Sequence, residues 1–288
     1  MIKNRGLLLS HGNIPLRKVV IDILDRALEK VNLYSATRRL IKLKGDFLSV
    51  GALSYNLKKL GSIYVLGAGK STRPIAEALE DILGDRISGG VIILKRGEKS
   101  RLRRIEVLEA SHPLPDEDGL KGARKVLEVA GKAKDRDLVF CVITGGSSAL
   151  MPLPPPSISL EEKREVTDLL LRSGVSIQEI NAVRKHLSLI KGGRLALQIH
   201  PAEIINLTVS DVIGDYEALD CITDPTVPDR STFKDALEVL RRYKLLEKVP
   251  SSVRKYLEKA DPNMETVKDF KGLKVHTFIL ATNRDLCE

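Results

Sequence analysis

The chain has 288 residues, 43% hydrophobic and 30% charged with no tryptophan, which suits one large or two ordinary globular domains and excludes a low-complexity chain. No apolar run approaches the roughly 18 residues of a membrane span and residues 1–12 lack a signal-peptide core, so the expected compartment is the cytoplasm with no membrane partner. The net charge of +9 and the pI of about 9.4 admit a nucleic-acid partner, but the basic clusters at Arg38-Arg39 and residues 95–104 carry no interleaved aromatics; a thermophile-like surface or an anionic small substrate accounts for the charge equally well.

Residues 14–33 place Leu16, Val19, Val20, Ile23, Leu24, Ala27, Leu28 and Val31 on one face, which predicts an amphipathic helix. Short apolar runs follow at 63–66, 91–94, 105–108, 138–143, 204–209 and 275–280, with helical patterns at 74–83, 116–129, 160–172 and 232–243 between several of them. Such alternation predicts a three-layer α/β/α fold around a mainly parallel sheet. Ser159 with Glu162 and Ser176 with Glu179 are capping-box pairs that start two helices, and Gly174 closes the first of them. Cys141, Cys221 and Cys287 lie far apart and lack metal-ligand spacing, so they read as free thiols. The run at 275–280 cannot bury a core alone. It either joins the first sheet or opens a second, smaller α/β domain, and the expected division is 1–250 and 251–288.

Four polar segments follow predicted strands and would line one sheet edge. The first is G-A-G-K-S-T from Gly67, a glycine turn between a strand and a helix, where backbone N–H groups suit an anion. It is not a P-loop, since the opening glycine would fall on Tyr64, and not a dinucleotide fingerprint, since Thr72 stands where a third glycine is needed. The others are S-H-P-L-P-D from Ser111, T-G-G-S-S from Thr144 and S-D-V-I-G-D from Ser210. Thr144 to Ser148 could hold a carboxylate or phosphate, or simply turn the chain. Asp211 and Asp215 could hold Mg²⁺ or cap the backbone. Arg184 could clamp an anion through two donors, whereas His186 and His112 read more simply as core and turn residues. No nucleophilic triad is legible.

Taken together, these motifs resemble the glycerate 2-kinases whose C-terminal part is called the MOFRL domain. The resemblance rests on G-A-G-K at Gly67, S-H-P-L-P-D at Ser111, S-L-E-E-K at Ser159, E-I-N-A-V-R-K-H-L-S from Glu179, K-G-G-R-L-A from Lys191, S-D-V-I-G-D at Ser210 and D-P-T-V-P-D at Asp224. It implies ATP-dependent phosphorylation of D-glycerate at the 2-hydroxyl, with a divalent cation such as Mg²⁺, in two domains around a cleft. By resemblance Lys70 is the essential lysine, and Gly67, Gly69, Ser71, Gly145 and Gly146 are phosphate or substrate contacts. Ser147, Ser148 and Arg184 become glycerate-carboxylate contacts; Asp211 and Asp215 become the metal or hydroxyl-orienting pair. The family's S-G-G-G-S-A-L and S-G-P-T read here as T-G-G-S-S-A-L and T-D-P-T, and its later G-G-R-N-Q-E and G-T-D-G segments have no counterpart. The facing wall of the cleft is therefore expected from a smaller domain that this sequence does not contain. A hydroxypyruvate-reductase-type oxidoreductase and a basic nucleic-acid-binding module are the rival functions, and a homodimer is left open.

Overall fold

The computed structural model describes residues 2–209 and 224–287. Helices α1 (Arg5–Leu8), α2 (Ile14–Lys30) and α3 (Leu33–Leu40) lead into an antiparallel meander of β1 (Ile41–Lys44), β2 (Phe47–Val50) and β3 (Leu53–Asn56). The α2 helix forms where its periodicity predicts, but its apolar stripe stays at the surface. Leu16, Val19 and Ile23 are each more than half exposed and Ile21 is its one buried residue. Periodicity fixes the helix; it does not say what covers the stripe.

The body of the fold is a run of strands and helices: β4 (Ile63–Ala68), α4 (Thr72–Leu83), β5 (Ile87–Lys95), β6 (Glu106–Ala110), α5 (Glu117–Ala130), β7 (Leu138–Ile143), α6 (Ser147–Leu150), α7 (Leu160–Arg172), α8 (Ile177–His186), α9 (Arg194–Ile199), β8 (Glu203–Thr208), α10 (Phe233–Arg242), α11 (Ser251–Lys259), β9 (Val275–Ile279) and α12 (Asn283–Cys287). Strands β4 to β9 pair in parallel in the order β6-β5-β4-β7-β8-β9. Every residue of β7 is buried. An apolar run without alternation is what a central parallel strand needs, because both of its faces are covered.

The covering is uneven. One face packs against α5, α6 and α9 through Ala123, Val126, Leu150, Leu195 and Ile199. The other meets α4 and the meander through Ile75, Leu79, Leu48 and Val50. A third core, built from Val166, Leu170, Val183, Leu237, Leu240 and Val253, joins α7, α8, α10 and α11 into a helical layer of its own. Each fully buried aliphatic or aromatic side chain contributes roughly 1.5–3 kcal/mol on transfer from water, so all three cores are substantial.

Of the two placements considered for the last strand, the structure has the first. β9 extends the same sheet, in register from Ile204 opposite Val275 to Thr208 opposite Ile279, instead of starting a second one. Val275 packs on one face of the sheet and Phe278 on the other, so β8 supplies the partner that an isolated strand would lack. Residues 251–259 likewise form α11 of the helical layer. Cys141 and Cys287 are free thiols, buried and exposed respectively; Cys221 lies outside the described residues.

Candidate active site

Strands β4 and β7 are neighbours from which the chain winds outward in opposite directions, first to β5 and β6, then to β8 and β9. A crevice opens at such a reversal, at the carboxyl ends of the strands. The turns after β4 and β7 meet there, and the glycines of the first turn allow it. A Cβ on Gly67 would come within 2.3 Å of the Val142 carbonyl oxygen, and one on Gly69, at φ +142°, within 2.0 Å of Thr144 Oγ1. Only bare backbone fits between the two turns.

This contact consumes the donors that the first turn was expected to offer. The N–H of Gly69 donates to Ile93 O at 3.3 Å, that of Lys70 to Gly145 O at 2.9 Å, and that of Ser71 to Thr144 Oγ1 at 3.1 Å. The backbone anion cradle expected at Gly67, Gly69 and Ser71 is thus closed within the protein. What the turn presents is the exposed side chain of Lys70.

The second turn is built the other way. Gly146 is left-handed at φ 90°, and the N–H groups of Gly145 and Gly146 have no partner among the described residues. Ser147 is buried, and Ser148 Oγ is buried with no hydrogen-bond partner among the described residues. His112, from the loop after β6, lies over this turn beside the stem of Lys70. A Cβ on Gly146 would meet His112 Cδ2 at 2.9 Å and Lys70 Cγ at 3.2 Å. Burial, with the charges of Lys70 and Lys95, holds the His112 imidazole below its usual range and therefore neutral near pH 7.

Within this chain, α7 and α8 stand across the crevice from that turn. Both predicted capping boxes form, Ser159 with Glu162 and Ser176 with Glu179, which fixes where each helix begins. Arg164 Nε donates to the Pro115 carbonyl and ties α7 to the loop after β6. The crevice between them, about 480 Å³ and partly open to solvent, is lined by the His112 loop, the turn from Thr144 to Ala149, and Lys163, Thr167, Asn181 and Arg184. Another depression, of about 590 Å³, lies between α3, β1 and the far end of α4, around Arg38 and Asp81. Since α4 rises about 1.5 Å per residue, Asp81 stands well over 10 Å from the turn that starts the helix, too far to share its chemistry.

The cavity is cationic. Arg184 makes no hydrogen bond or ion pair among the described residues, and burial pushes its guanidinium below the usual range. Lys163 is 4% exposed, donates to the Leu187 carbonyl, and is driven down to about 7 by burial and the neighbouring Arg184 and Arg194. Asp224, the buried carboxyl at the cavity, has Oδ1 committed to Thr226 N at 2.6 Å and Thr226 Oγ1 at 2.7 Å, and Oδ2 to Asn206 at 3.5 Å. Burial raises its pKa. Among the described residues no cluster of three His, Cys, Asp or Glu could hold a metal ion. Asp211 and Asp215 lie outside the described residues.

Thus the structure brings together Lys70, Gly145, Gly146, Ser147, Ser148 and Arg184. His186 is core, with Nδ1 2.7 Å from Ala182 O and Nε2 2.7 Å from Glu265 Oε1. Lys185 is buried against Asp229 at 2.6 Å. Lys163 was passed over as part of a helix start, yet its spacing was a signal. It falls on the same face as Leu160, Val166 and Leu170, where a lysine needs a reason to be buried.

Residues 19–258 match the family described as a domain of unknown function, DUF4147. The chain is 41% identical to the glycerate 2-kinase of Pyrococcus horikoshii over 276 residues, 95% of this chain and 61% of that protein. It is 38% identical to the D-glycerate 2-kinase of Thermotoga maritima, over 80% of this chain and 53% of that protein. A putative hydroxypyruvate reductase of Agrobacterium vitis matches at 40%, over 65% of this chain and 48% of the relative. Among solved structures, the crystal structure of a P. horikoshii protein superposes with a TM-score of 0.84 at 40% identity, over 94% of this chain and 61% of that one. The crystal structure of the T. maritima glycerate kinase gives 0.78 at 34%, over 95% and 60%. The chain spans about half to three-fifths of the length of the relatives it matches. With its family match covering most of its length and its relatives carrying the names of glycerate kinases, the chain belongs to the DUF4147 family of glycerate-kinase homologues.

Proposed function

We propose that the crevice between the β7 turn and helices α7 and α8 belongs to an ATP-dependent D-glycerate 2-kinase that gives 2-phosphoglycerate and ADP. The observation that carries this reading is a cavity with converging cations and open donors and, among the described residues, no carboxylate free to neutralise them. Such a site waits for an anionic ligand. The names of the relatives say which anion to try first.

In this reading Arg184 grips the glycerate carboxylate through its planar fork, with Ser147 and Ser148 beside it. The N–H groups of Gly145 and Gly146 receive a phosphate oxygen, while Gly67, Gly69 and Ser71 contribute by letting the two turns touch. Lys70 reaches over the second turn and offsets charge on the transferring phosphoryl group, a role that depends on position more than on covalent chemistry. Mg²⁺ would neutralise charge on the nucleotide phosphates. Asp211 and Asp215 are assigned to it, and Asp211 also to orienting the 2-hydroxyl, on the resemblance alone. A MOFRL-type second part belongs to the same proposal, as do a cytoplasmic location, the absence of a nucleic-acid partner and an optional homodimer. No helix among the described residues is long and apolar enough to cross a membrane.

The hydroxypyruvate-reductase alternative requires a nicotinamide dinucleotide, whose pyrophosphate would sit on the first turn of such a sheet. The N–H groups of that turn are spent on Ile93, Gly145 and Thr144, which disfavours it. The test supplies Mg-ATP and D-glycerate and couples the product to enolase without phosphoglycerate mutase. Product consumed directly by enolase supports the 2-kinase. NADH oxidation with hydroxypyruvate as the sole activity refutes it.

A further inference from the structure

Two lysines are fully buried near the crevice, and among the described residues neither has a carboxylate partner. Lys163 donates to Leu187 O, and Lys191 to Met151 O at 2.9 Å. An ammonium carries three donors, and one carbonyl satisfies one of them. A charge buried with so little compensation is costly and is retained only for a reason. The two differ in one respect: Lys163 lines the cavity next to Arg184, and Lys191 does not.

We propose that Lys163 is the second cation of the carboxylate subsite, joining Arg184 on the acid substrate with the donors that Leu187 leaves unused. The proposal rests on the glycerate reading for the identity of the acid, but its physical content is an anion-binding lysine. Lys163 reaches the cavity from the buried face of α7, held by the Ser159 capping box and by Val166 and Leu170 in the helical core. Its ammonium is therefore placed by a rigid element, whereas Lys70 sits exposed on a turn.

A consequence is a pH-dependent affinity for an anion of constant charge. The groups facing Lys163 are Arg184 from α8, Arg194 from α9, and Lys191 from the segment between those helices. On its own helix the rim carries Arg164 and Asp168, the latter paired with Arg172 at 2.9 Å, and across the cavity stand His112 and Asp224. The arginines stay charged, His112 is neutral above pH 7, and burial holds Lys191 well below its usual range. Among the described residues Lys163 is the lysine that lines the cavity, and it loses its charge as pH rises through about 7. Its protonated form binds the anion, so affinity is full below that pH and falls above it.

The experiment is isothermal titration of D-glycerate into the protein from pH 6 to 9, with Lys163→Met, Lys163→Gln and Lys191→Met beside it. In the unaltered protein Kd should rise by up to about tenfold per pH unit above 7, the linkage of one proton to one ligand. Lys163→Met, or Lys163→Gln where Met does not fold, should bind roughly tenfold or more weakly at pH 6.5 and show no slope, as expected when a charged hydrogen-bond partner is removed. Lys191→Met should keep the slope. A flat profile in the unaltered protein, or a folded Lys163 variant with its Kd and slope unchanged, overturns the proposal. Sulfate, whose charge is fixed across this range, separates the two readings. If D-glycerate does not bind at any pH but sulfate binds with a slope that depends on Lys163, the subsite stands and the glycerate assignment falls.

Discussion

The two turns that meet at the sheet edge look alike in sequence, each with two glycines and hydroxyl residues in a short stretch, yet they are opposite in physical state. From Gly67 to Thr72 the backbone donors are consumed by Ile93, Gly145 and Thr144, and the glycines are needed because a Cβ would strike the neighbouring strand. From Thr144 to Ser148 the N–H groups of both glycines and one serine hydroxyl are left without partners among the described residues. A glycine-rich turn is therefore no evidence of a phosphate cradle until its donors have been counted. In the proposed reading the first turn is scaffold plus one lysine, and the second is the binding surface.

Lys70→Ala breaks the comparison most sharply, because the lysine is the one functional group the first turn keeps. Its kcat should fall by roughly 10²–10³-fold, about 3–4 kcal/mol, the scale for removing one preorganised electrostatic donor, while the melting temperature stays put because the side chain is exposed. Unchanged turnover in the folded variant would return Lys70 to a solvated turn. Gly69→Ala tests the scaffold role and should do the reverse. A positive φ and a Cβ that meets Thr144 Oγ1 and carbonyl should cost about 2–3 kcal/mol of stability, seen as a lower denaturant midpoint.

Gly146→Ala comes next, at about 1–2 kcal/mol, since its left-handed φ strains any Cβ but the nearest obstacle is a histidine side chain that can shift. Displacing His112 and Lys70 should also raise KM for the anion, which Gly69→Ala in its folded fraction should not. The smallest effect belongs to Ser148→Ala. Removing a buried hydroxyl with no partner should leave stability within about 0.5 kcal/mol of the parent, or raise it, while glycerate binding weakens severalfold. A marked loss of stability would mean that Ser148 is structural.

The strands and the capped helices were legible because buried parallel strands read as plain apolar runs and capping boxes are local. Convergence of the post-strand loops was legible too, since parallel strands share one edge. The meander β1 to β3 escaped because its strands are four residues each and alternate weakly. The closed state of the first turn could not be read, because it depends on β4 lying beside β7, a pairing between residues about 75 apart. The part that α7 and α8 take in lining the crevice is hidden for a similar reason. Helices α7 and α8 gave clear starts but no hint that they stand against the sheet edge and not over its face.

The central claim, that the second turn binds the anion and the first only carries Lys70, is tested most directly by amide hydrogen exchange with and without saturating D-glycerate and a non-hydrolysable Mg-ATP analogue. The amides of Gly145 and Gly146, open in the free protein, should gain protection on binding. Those of Gly69, Lys70 and Ser71, already bonded within the fold, should exchange slowly in both states. Ligand-dependent protection at 69–71 with none at 145–146 would contradict the account and restore the first turn as the cradle.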